Sequence, residues 1–145
     1  MREIKFRGKA IMSIEELELM GIEHDSGWVY GNLIKNGNRP MITADILEEI
    51  EESIYPEWWV VVEPKSVGQY TGLKDKNGTP IYEGDLLKHP VGVVAEIKYD
   101  NDTASFIAVY TENDDIEMNH LDKKIISKCE VVGNIFQDGD LLRDS

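Results

Sequence analysis

The chain has 145 residues, of which 41% are apolar and 30% charged, and its formal net charge is −13. That length suits one compact domain that can bury most of its apolar surface without cross-links. No apolar run approaches the roughly 18 residues that a membrane-spanning helix needs, and no apolar segment of a signal peptide follows the N-terminus. The single Cys129 excludes an internal disulfide, which is typical of a reducing compartment. We therefore expect a cytoplasmic protein without a membrane segment.

The acidic balance is the strongest signal in the composition. A surface with this charge repels phosphate backbones and lacks the basic footprint of a nucleic-acid binder. Its ordinary interpretation is solubility. The sharper interpretation is that the carboxylates attract a basic partner and imitate nucleic acid. The first interpretation is favoured, and the second stays open.

The first elements are a strand and a short helix. Glu3–Lys9 alternates Ile4 and Phe6 with charged residues and predicts a half-buried strand. A helix should follow Ser13, which can cap it while Glu16 completes a capping box. Met12 can pack on Leu17, and Gly21 provides a stop signal.

The next segments predict a hairpin and a second helix. Gly27–Ile34 has the pattern of a strand, Lys35-Asn36-Gly37-Asn38 has that of a turn, and Arg39–Thr43 should return as its partner. From Ala44 to about Ile54, apolar residues recur at helical spacing and glutamates fill the other face, which predicts an acidic amphipathic helix. Trp58–Val62 is apolar without alternation, as in a strand that is covered on both faces.

A glycine-rich stretch, Gly68–Asp85, forms the centre of the sequence. Asn77-Gly78 tolerates the positive φ angles of a two-residue type I′ turn, so Gly68–Leu73 and Thr79–Leu87 should pair as a hairpin. Asp75 and Asn77 should bond to the backbone of the turn. Because each feature of this stretch has a conformational explanation, a structural role is favoured over a pocket or an oligomer contact.

The remaining segments predict short strands joined by turns. Val91–Tyr99 and Ala104–Tyr110 flank an acidic turn, and Glu130–Phe136 is the closing strand. We predict an α+β, mostly antiparallel fold in a single domain of residues 1–145. It should have two lobes: a mixed α/β lobe at about 1–66 and a small SH3-like barrel at about 67–136. The polar tail, 137–145, should fray.

Four blocks of this sequence resemble the YopX proteins of bacteriophages and prophages. The central one is Gly-Gln-Tyr-Thr-Gly-Leu-Lys-Asp-Lys-Asn-Gly from residue 68, followed by Ile-Tyr-Glu-Gly-Asp from residue 81. The others are the opening Met1–Lys9, Trp-Val-Tyr-Gly-Asn-Leu from residue 28, and Glu-Val-Val-Gly-Asn-Ile-Phe from residue 130. The resemblance implies a phage or prophage accessory protein and gives no molecular activity. It also implies that Ile11–His24 is an insertion.

No residue pattern indicates catalysis or a cofactor. The three histidines, His24, His89 and His120, are isolated and lack zinc-site spacing. Cys129 has no suggested base, so a buried or idle thiol is favoured over a nucleophile. Acidic residues at positions 100, 102, 112, 114 and 115 lack the spacing of a calcium loop. We predict no catalytic, cofactor or metal residues, and the protein is not expected to be an enzyme.

Three functional hypotheses follow. The leading one is a non-enzymatic module that binds a host or phage protein, or copies of itself. The second is an acidic decoy of a nucleic-acid-binding protein. The third is weak nucleic-acid binding by the SH3-like lobe, although the net charge makes nucleic acid an improbable partner.

The candidate interaction residues lie on strands that could form exposed edges. Glu3–Lys9 and Glu130–Phe136 are predicted as edge strands, which proteins must pair, charge or cover. We expect a closed homo-oligomer in which basic N-terminal strands contact acidic neighbouring surfaces. The residues predicted to make its contacts are Lys5, Arg7, Trp58, Trp59, Val131 and Ile135.

Overall fold

The computed structural model describes residues 3–44, 47–50, 53–112 and 115–139. The fold is mostly antiparallel β with a few short helices, which confirms the predicted class at that level. The chain divides into two compact units, of residues 3–69 and of residues from 70 onward. Of the described helices, none combines the length and apolar character required to cross a bilayer.

Unit 1, residues 3–69, consists of short strands and one helix. Its sheet has the order β6-β3-β2-β1, and the first two residues of β7 pair with β1. Strands β4 and β5 form a separate hairpin. The bounds are β1 Phe6–Lys9, α1 Ile14–Leu19, β2 Trp28–Ile34, β3 Met41–Thr43, β4 Leu47–Ile50, β5 Ser53–Pro56, β6 Trp59–Val61, a 3₁₀ turn Pro64–Ser66, and the start of β7 Gly68–Lys74.

Helix α1 forms as its end signals predict. The Ser13 hydroxyl accepts a hydrogen bond from the Glu16 N–H at 3.2 Å. Gly21 has a φ of +70°, and the Ile22 N–H donates to the Leu17 carbonyl at 2.9 Å. With the Gly21 N–H on the Glu18 carbonyl, these bonds form a Schellman motif. Leu17 and Ile22 enter the core of unit 1 with Ala10, Val29, Ile42, Val60 and Val62.

The N-terminal strand is not an edge, contrary to the prediction. Strand β1 pairs with β2 on one side and with Gly68 and Gln69 of β7 on the other. Gly8 packs so closely that a Cβ there would lie 2.7 Å from Val62 Cγ2. The backbone N–H and C=O groups of β1 are therefore used in hydrogen bonds within unit 1 and are not available to pair with another chain.

The predicted acidic helix from Ala44 to Ile54 is also wrong. Leu47–Ile50 and Ser53–Pro56 pair as antiparallel strands, while residues 45–46 and 51–52 lie outside the described part of the chain. Glutamates at positions 48, 49, 51 and 52 would repel one another at helical spacings of three and four. Ile54 and Tyr55 instead favour a strand, which explains why helical spacing was misleading here.

The strand predicted over Trp58–Val62 forms between Trp59 and Val61, but it is not covered on both faces. Val60 and Val62 are 2% and 0% exposed, whereas Trp59 is 57% exposed. Successive side chains of a strand point to opposite faces. The apolar run therefore contributes one face to the core and leaves Trp59 at the surface.

Unit 2, from residue 70 onward, contains an open five-stranded sheet. Its order is β12-β11-β10-β9-β13, and the rest of β7 pairs with β8. The described strand pairs do not close a barrel, so the SH3-like barrel stays a prediction. The elements are β8 Pro80–Tyr82, β9 Asp85–Lys88, β10 Val94–Asp100, β11 Ser105–Glu112, β12 Asp115–His120, α2 Lys123–Ile126, β13 Glu130–Asn134 and α3 Ile135–Asp138.

The sequence prediction missed three elements of this unit. Strand β12 and helix α2 lie almost entirely in residues for which no element was predicted, and α3 begins inside the predicted closing strand. Asn134 ends β13 and caps α3 by accepting the Gln137 N–H at 2.9 Å. Gln137 and Asp138 of the predicted tail are thus helical, and residues 140–145 lie outside the described chain.

The central hairpin forms, but its turn differs from the predicted type I′. Among the described residues other than glycine, only Ser26 and Ala104 have positive φ, so Asn77 does not meet the requirement of that turn. The Gly78 N–H instead donates to the Asp75 carbonyl at 3.0 Å, and Gly78 has a φ of +81°. This is the three-residue hairpin loop in which a turn is followed by a left-handed glycine.

Candidate functional site

An open groove of about 530 Å³ lies on unit 1. It is lined by five separate segments of the chain, so that it exists only in the folded unit. Its lining residues are Lys5, Gly21, Glu23, His24, Asp25, Tyr30, Ala44, Glu57 and Trp58.

The wall formed by residues 21–25 is fixed at both ends. At one end the Schellman motif of α1 directs the chain at Gly21. At the other end, Asp25 and Trp28 exchange backbone hydrogen bonds of 2.9 Å across Ser26-Gly27. Ser26 and Gly27 have φ angles of 49° and 90°, as a type I′ turn requires at both central positions. The turn type predicted for Asn77-Gly78 therefore occurs here.

Further contacts hold this wall in place. The Lys9 ammonium donates to the Ser26 carbonyl. His24 Nδ1 accepts the Gly27 N–H at 3.1 Å, and His24 Nε2 lies 3.5 Å from a Glu18 carboxylate oxygen. Since Nδ1 is an acceptor, a neutral His24 carries its proton on Nε2. The imidazole thus serves to anchor the wall.

The charged groups of the groove are unequal in number. The three carboxylates of Glu23, Asp25 and Glu57 line it together with one ammonium group, that of Lys5. All three acids are exposed, and Lys5 is half-buried. Tyr30 and Trp58 add aromatic surface, and Trp58 also packs against the core of unit 1. A surplus of carboxylates beside aromatic rings favours binding of a cation, because carboxylates and the faces of aromatic rings both attract positive charge.

Two of the six predicted interaction residues, Lys5 and Trp58, meet in this groove. Arg7 does not join them at the surface: it is 8% exposed, and its guanidinium carbon lies 5.0 Å from the centre of the Trp28 ring. That stacking is an internal cation–π contact of unit 1. Trp59 is exposed on β6.

The other two predicted interaction residues belong to unit 2. Val131 is half-buried, and its N–H donates to Asp75 Oδ2 at 2.9 Å. Ile135 is 38% exposed, and its N–H donates to the Gly84 carbonyl at 2.7 Å. Among the described strands β13 pairs only with β9, so it is the outer strand that the sequence predicted. The interaction role of both residues stays a prediction.

The Cys129 thiol and the Asp100 carboxylate form hydrogen bonds within the fold. Cys129 is buried, as the favoured interpretation predicted, and its thiol donates to the Ile125 carbonyl at 3.3 Å. Burial raises the pKa of this thiol. Asp100 accepts from the Asp102 N–H at 3.2 Å and from the Thr103 hydroxyl at 2.7 Å. Within the described ranges, no three His, Cys, Asp or Glu side chains gather as a metal would require.

Sequence reasoning missed Glu23, Asp25 and Glu57 as groove residues. A signal for one wall was present, because Ser26-Gly27 is a turn dipeptide shortly after the helix stop at Gly21. No local pattern relates that segment to Glu57, however, since only the pairing of β1, β2, β3 and β6 brings the segments together.

A comparison with protein families identifies a match. The family model described as YopX protein matches residues 5–143, which is nearly the whole chain. No curated protein matches the sequence.

Proposed function

The chain belongs to the YopX family, and on that premise we propose that it is a phage or prophage accessory protein that acts by binding proteins, copies of itself included. In this proposal it works without catalysis, in the cytoplasm of the bacterial host. The observation that supports it best is the exposure of Trp59, of which 57% is accessible.

Trp59 belongs to an apolar surface on unit 1. It shares a face of β6 with Val61, because alternate residues of a strand point the same way. Met41 lies opposite Val61 in the neighbouring strand, and both are half-buried. A large indole beside two partly covered apolar side chains has the composition of a protein contact, in which tryptophan is enriched among the residues that contribute most to affinity.

The backbone of β6 is partly protected. The Ile11 N–H donates to the Val61 carbonyl at 3.1 Å, and the Glu63 N–H donates to the Lys9 carbonyl at 2.8 Å. These bonds cover the end of β6 that is remote from Trp59. The proposed contact is therefore made by side chains on the Trp59 face, and addition of a strand along the whole edge is not required.

The test compares the wild-type chain with Trp59→Ser. Mass is measured by size-exclusion chromatography with light scattering, and partners are captured from lysate of the infected host. Wild-type protein should self-associate or retain a partner, and Trp59→Ser should weaken this about thirtyfold, since truncating a central tryptophan costs about 2 kcal/mol or more. Val91→Ser, which removes an apolar side chain that is 76% exposed, is the matched control.

Two results would count against the proposal. A wild-type chain that stays monomeric and retains no partner contradicts protein binding as the function. Equal behaviour of Trp59→Ser and Val91→Ser contradicts the role of the Trp59 face.

A further inference from the structure

The groove of unit 1 has more negative than positive side chains, which favours binding of a positively charged group. Glu23, Asp25 and Glu57 supply three carboxylates against the single ammonium of Lys5. Its volume of about 530 Å³ leaves room for side chains of another protein. Trp58 supplies aromatic surface on which the stem of a long basic side chain can pack.

Apolar side chains border the acidic wall along the chain. Leu19 is 87% exposed and Met20 is 60% exposed, and both directly precede Gly21 of the groove. Isolated exposed apolar residues are common, but adjacent ones beside a charged groove have the composition of a binding surface. The occupant should therefore combine positive charge with an apolar side chain.

One exposed segment of the same chain has that combination. Lys123, Lys124 and Lys128 are three of the 15 basic residues, and they fall within six consecutive positions at helix α2 of unit 2. All three are exposed, and Ile125 between them is 51% exposed. Ile126 is buried in the hydrophobic core of unit 2 and anchors α2 there. The lysines and Ile125 lie on the exposed side of the segment.

We propose that the groove of unit 1 binds the Lys123–Lys128 segment of a second copy of the chain. The inference rests on the proposed function, in which the protein binds copies of itself, and it names the two surfaces involved. It relocates the basic side of the predicted oligomer contact, because Arg7 is buried against Trp28 and β1 is an inner strand. The carboxylates of one copy then face lysines of the next.

The geometry of the two surfaces and their charge determine how this contact behaves. Because the groove and the segment are different surfaces, the contact occurs either reciprocally, twice in a two-fold dimer, or head to tail in a ring or an open chain. Exposed ion pairs contribute little individually, so Ile125 of one copy must also cover apolar surface near Leu19 and Met20 of the other. Salt screens the charged part, and we expect association to weaken as the NaCl concentration rises.

The test uses complementary charge reversals in the full chain. Glu23→Lys with Glu57→Lys alters the groove, and Lys123→Glu with Lys124→Glu alters the basic segment. Each double variant should weaken self-association at least about tenfold in analytical ultracentrifugation. An equimolar mixture of the two should restore association, because each supplies the charge that the other lacks.

Two control variants have the same changes in net charge at other exposed sites. Glu63→Lys with Asp102→Lys matches the groove variant, and Lys35→Glu with Lys65→Glu matches the segment variant. The controls should associate like the wild-type chain. Circular dichroism and thermal unfolding of every variant establish that it is folded before its mass is interpreted.

The outcomes separate this inference from the proposed function. Groove and segment variants that associate like their controls, or a mixture that fails to restore association, overturn the inference. If Trp59→Ser alone disrupts assembly, binding through the Trp59 face stands without the groove. A monomeric wild-type chain that captures a basic host or phage protein overturns the second-copy occupant and keeps protein binding. A monomeric chain that captures nothing overturns both.

Discussion

The carboxylate of Asp75 accepts three backbone hydrogen bonds in unit 2, and its removal should destabilise that unit strongly. One carboxylate oxygen accepts the N–H groups of Asn77 and Thr79 at 2.8 and 2.9 Å. The other accepts the N–H of Val131 at 2.9 Å, from a strand that is 56 residues away in sequence. The residue is 6% exposed, so water cannot readily replace these bonds.

The geometry gives the expected magnitudes. A hydrogen bond to a charged group contributes about 1.5–3 kcal/mol, and an orphaned buried donor costs about 1–3 kcal/mol. Asp75→Ala orphans three donors, and we expect a loss of about 3–5 kcal/mol after some bonds are recovered by relaxation or water. In Asp75→Asn, the remaining side-chain oxygen can still accept the N–H groups of the turn. The amide NH₂ then faces the Val131 N–H, and because both groups are donors that bond is lost. We therefore expect the free energy of unfolding to fall by about 2 kcal/mol.

The pH dependence of stability gives an independent check. Burial raises the pKa of Asp75, but the N–H groups of Val131, Thr79 and Asn77 lower it, and the net direction is downward. A carboxyl group whose folded pKa lies below its unfolded value of about 4 stabilises the fold above that pH, and this contribution is lost as the pH falls through the folded pKa. Asp75→Asn should therefore lose less stability than the wild-type chain on acidification below about pH 4.

Urea unfolding followed by circular dichroism measures the free energy, and hydrogen exchange of the Asn77, Thr79 and Val131 amides reports the local effect. Asp100→Asn is the matched control, because Asp100 forms a similar turn contact but is only half-buried. The control should behave like the wild-type chain. If Asp75→Ala unfolds at the same urea concentration as Asp100→Asn, the three bonds do not hold the hairpin to β13 and the reasoning is refuted.

Two further predictions concern packing and thiol chemistry. Gly31→Ala should destabilise unit 1 by about 3 kcal/mol or more, because a Cβ at this position would overlap the backbone carbonyl of Thr43, which cannot move as a flexible side chain would. Urea unfolding of Asn32→Ala, at an exposed neighbouring position, is its control, and equal stability of the two variants would contradict the clash. The Cys129 thiol should react slowly with a chromogenic disulfide at neutral pH and rapidly in urea, since burial restricts access and raises its pKa. Equal rates in the two conditions would show that the thiol is accessible in the folded chain.

Local signals predicted the elements that they control by themselves. Helix α1 has its cap, its stop and its buried Leu17 within a few residues, so the sequence alone determines it. The segment at 44–54 shows the limit of the same method, because its apolar spacing fits a helix while pairing of β4 with β5 decides the outcome. Periodicity cannot weigh a strand partner that it does not include.

The two tight turns show a similar limit. Asn77-Gly78 has the sequence of a type I′ turn, but the Asp75 carboxylate accepts N–H groups within the loop and from β13, and a three-residue loop results. Ser26-Gly27 has a weaker sequence signal and adopts both positive φ angles, with the Lys9 ammonium bound to its carbonyl. Long-range partners select the turn in both cases, and a local reading cannot supply them.

The central stretch, Gly68–Asp85, makes hydrogen bonds that fix its conformation. Besides Asp75, the Thr71 hydroxyl donates to the Ile81 carbonyl at 2.8 Å, and the Tyr82 N–H donates to Asp85 Oδ2 at 2.7 Å. Asp85 is 1% exposed, so its carboxylate is committed to the interior of unit 2. These contacts favour the structural role that the sequence suggested for Gly68–Asp85.

If that stretch maintains the architecture of unit 2, binding specificity must come from residues outside it. The groove of unit 1 meets this condition, because its acids, Glu23, Asp25 and Glu57, lie on exposed segments of the chain. Exposed charges can change with little effect on folding, whereas the buried carboxylates of Asp75 and Asp85 cannot. Substitutions in the groove should therefore alter what the protein binds while its fold persists. Substitutions of buried residues in Gly68–Asp85 should instead alter whether unit 2 folds.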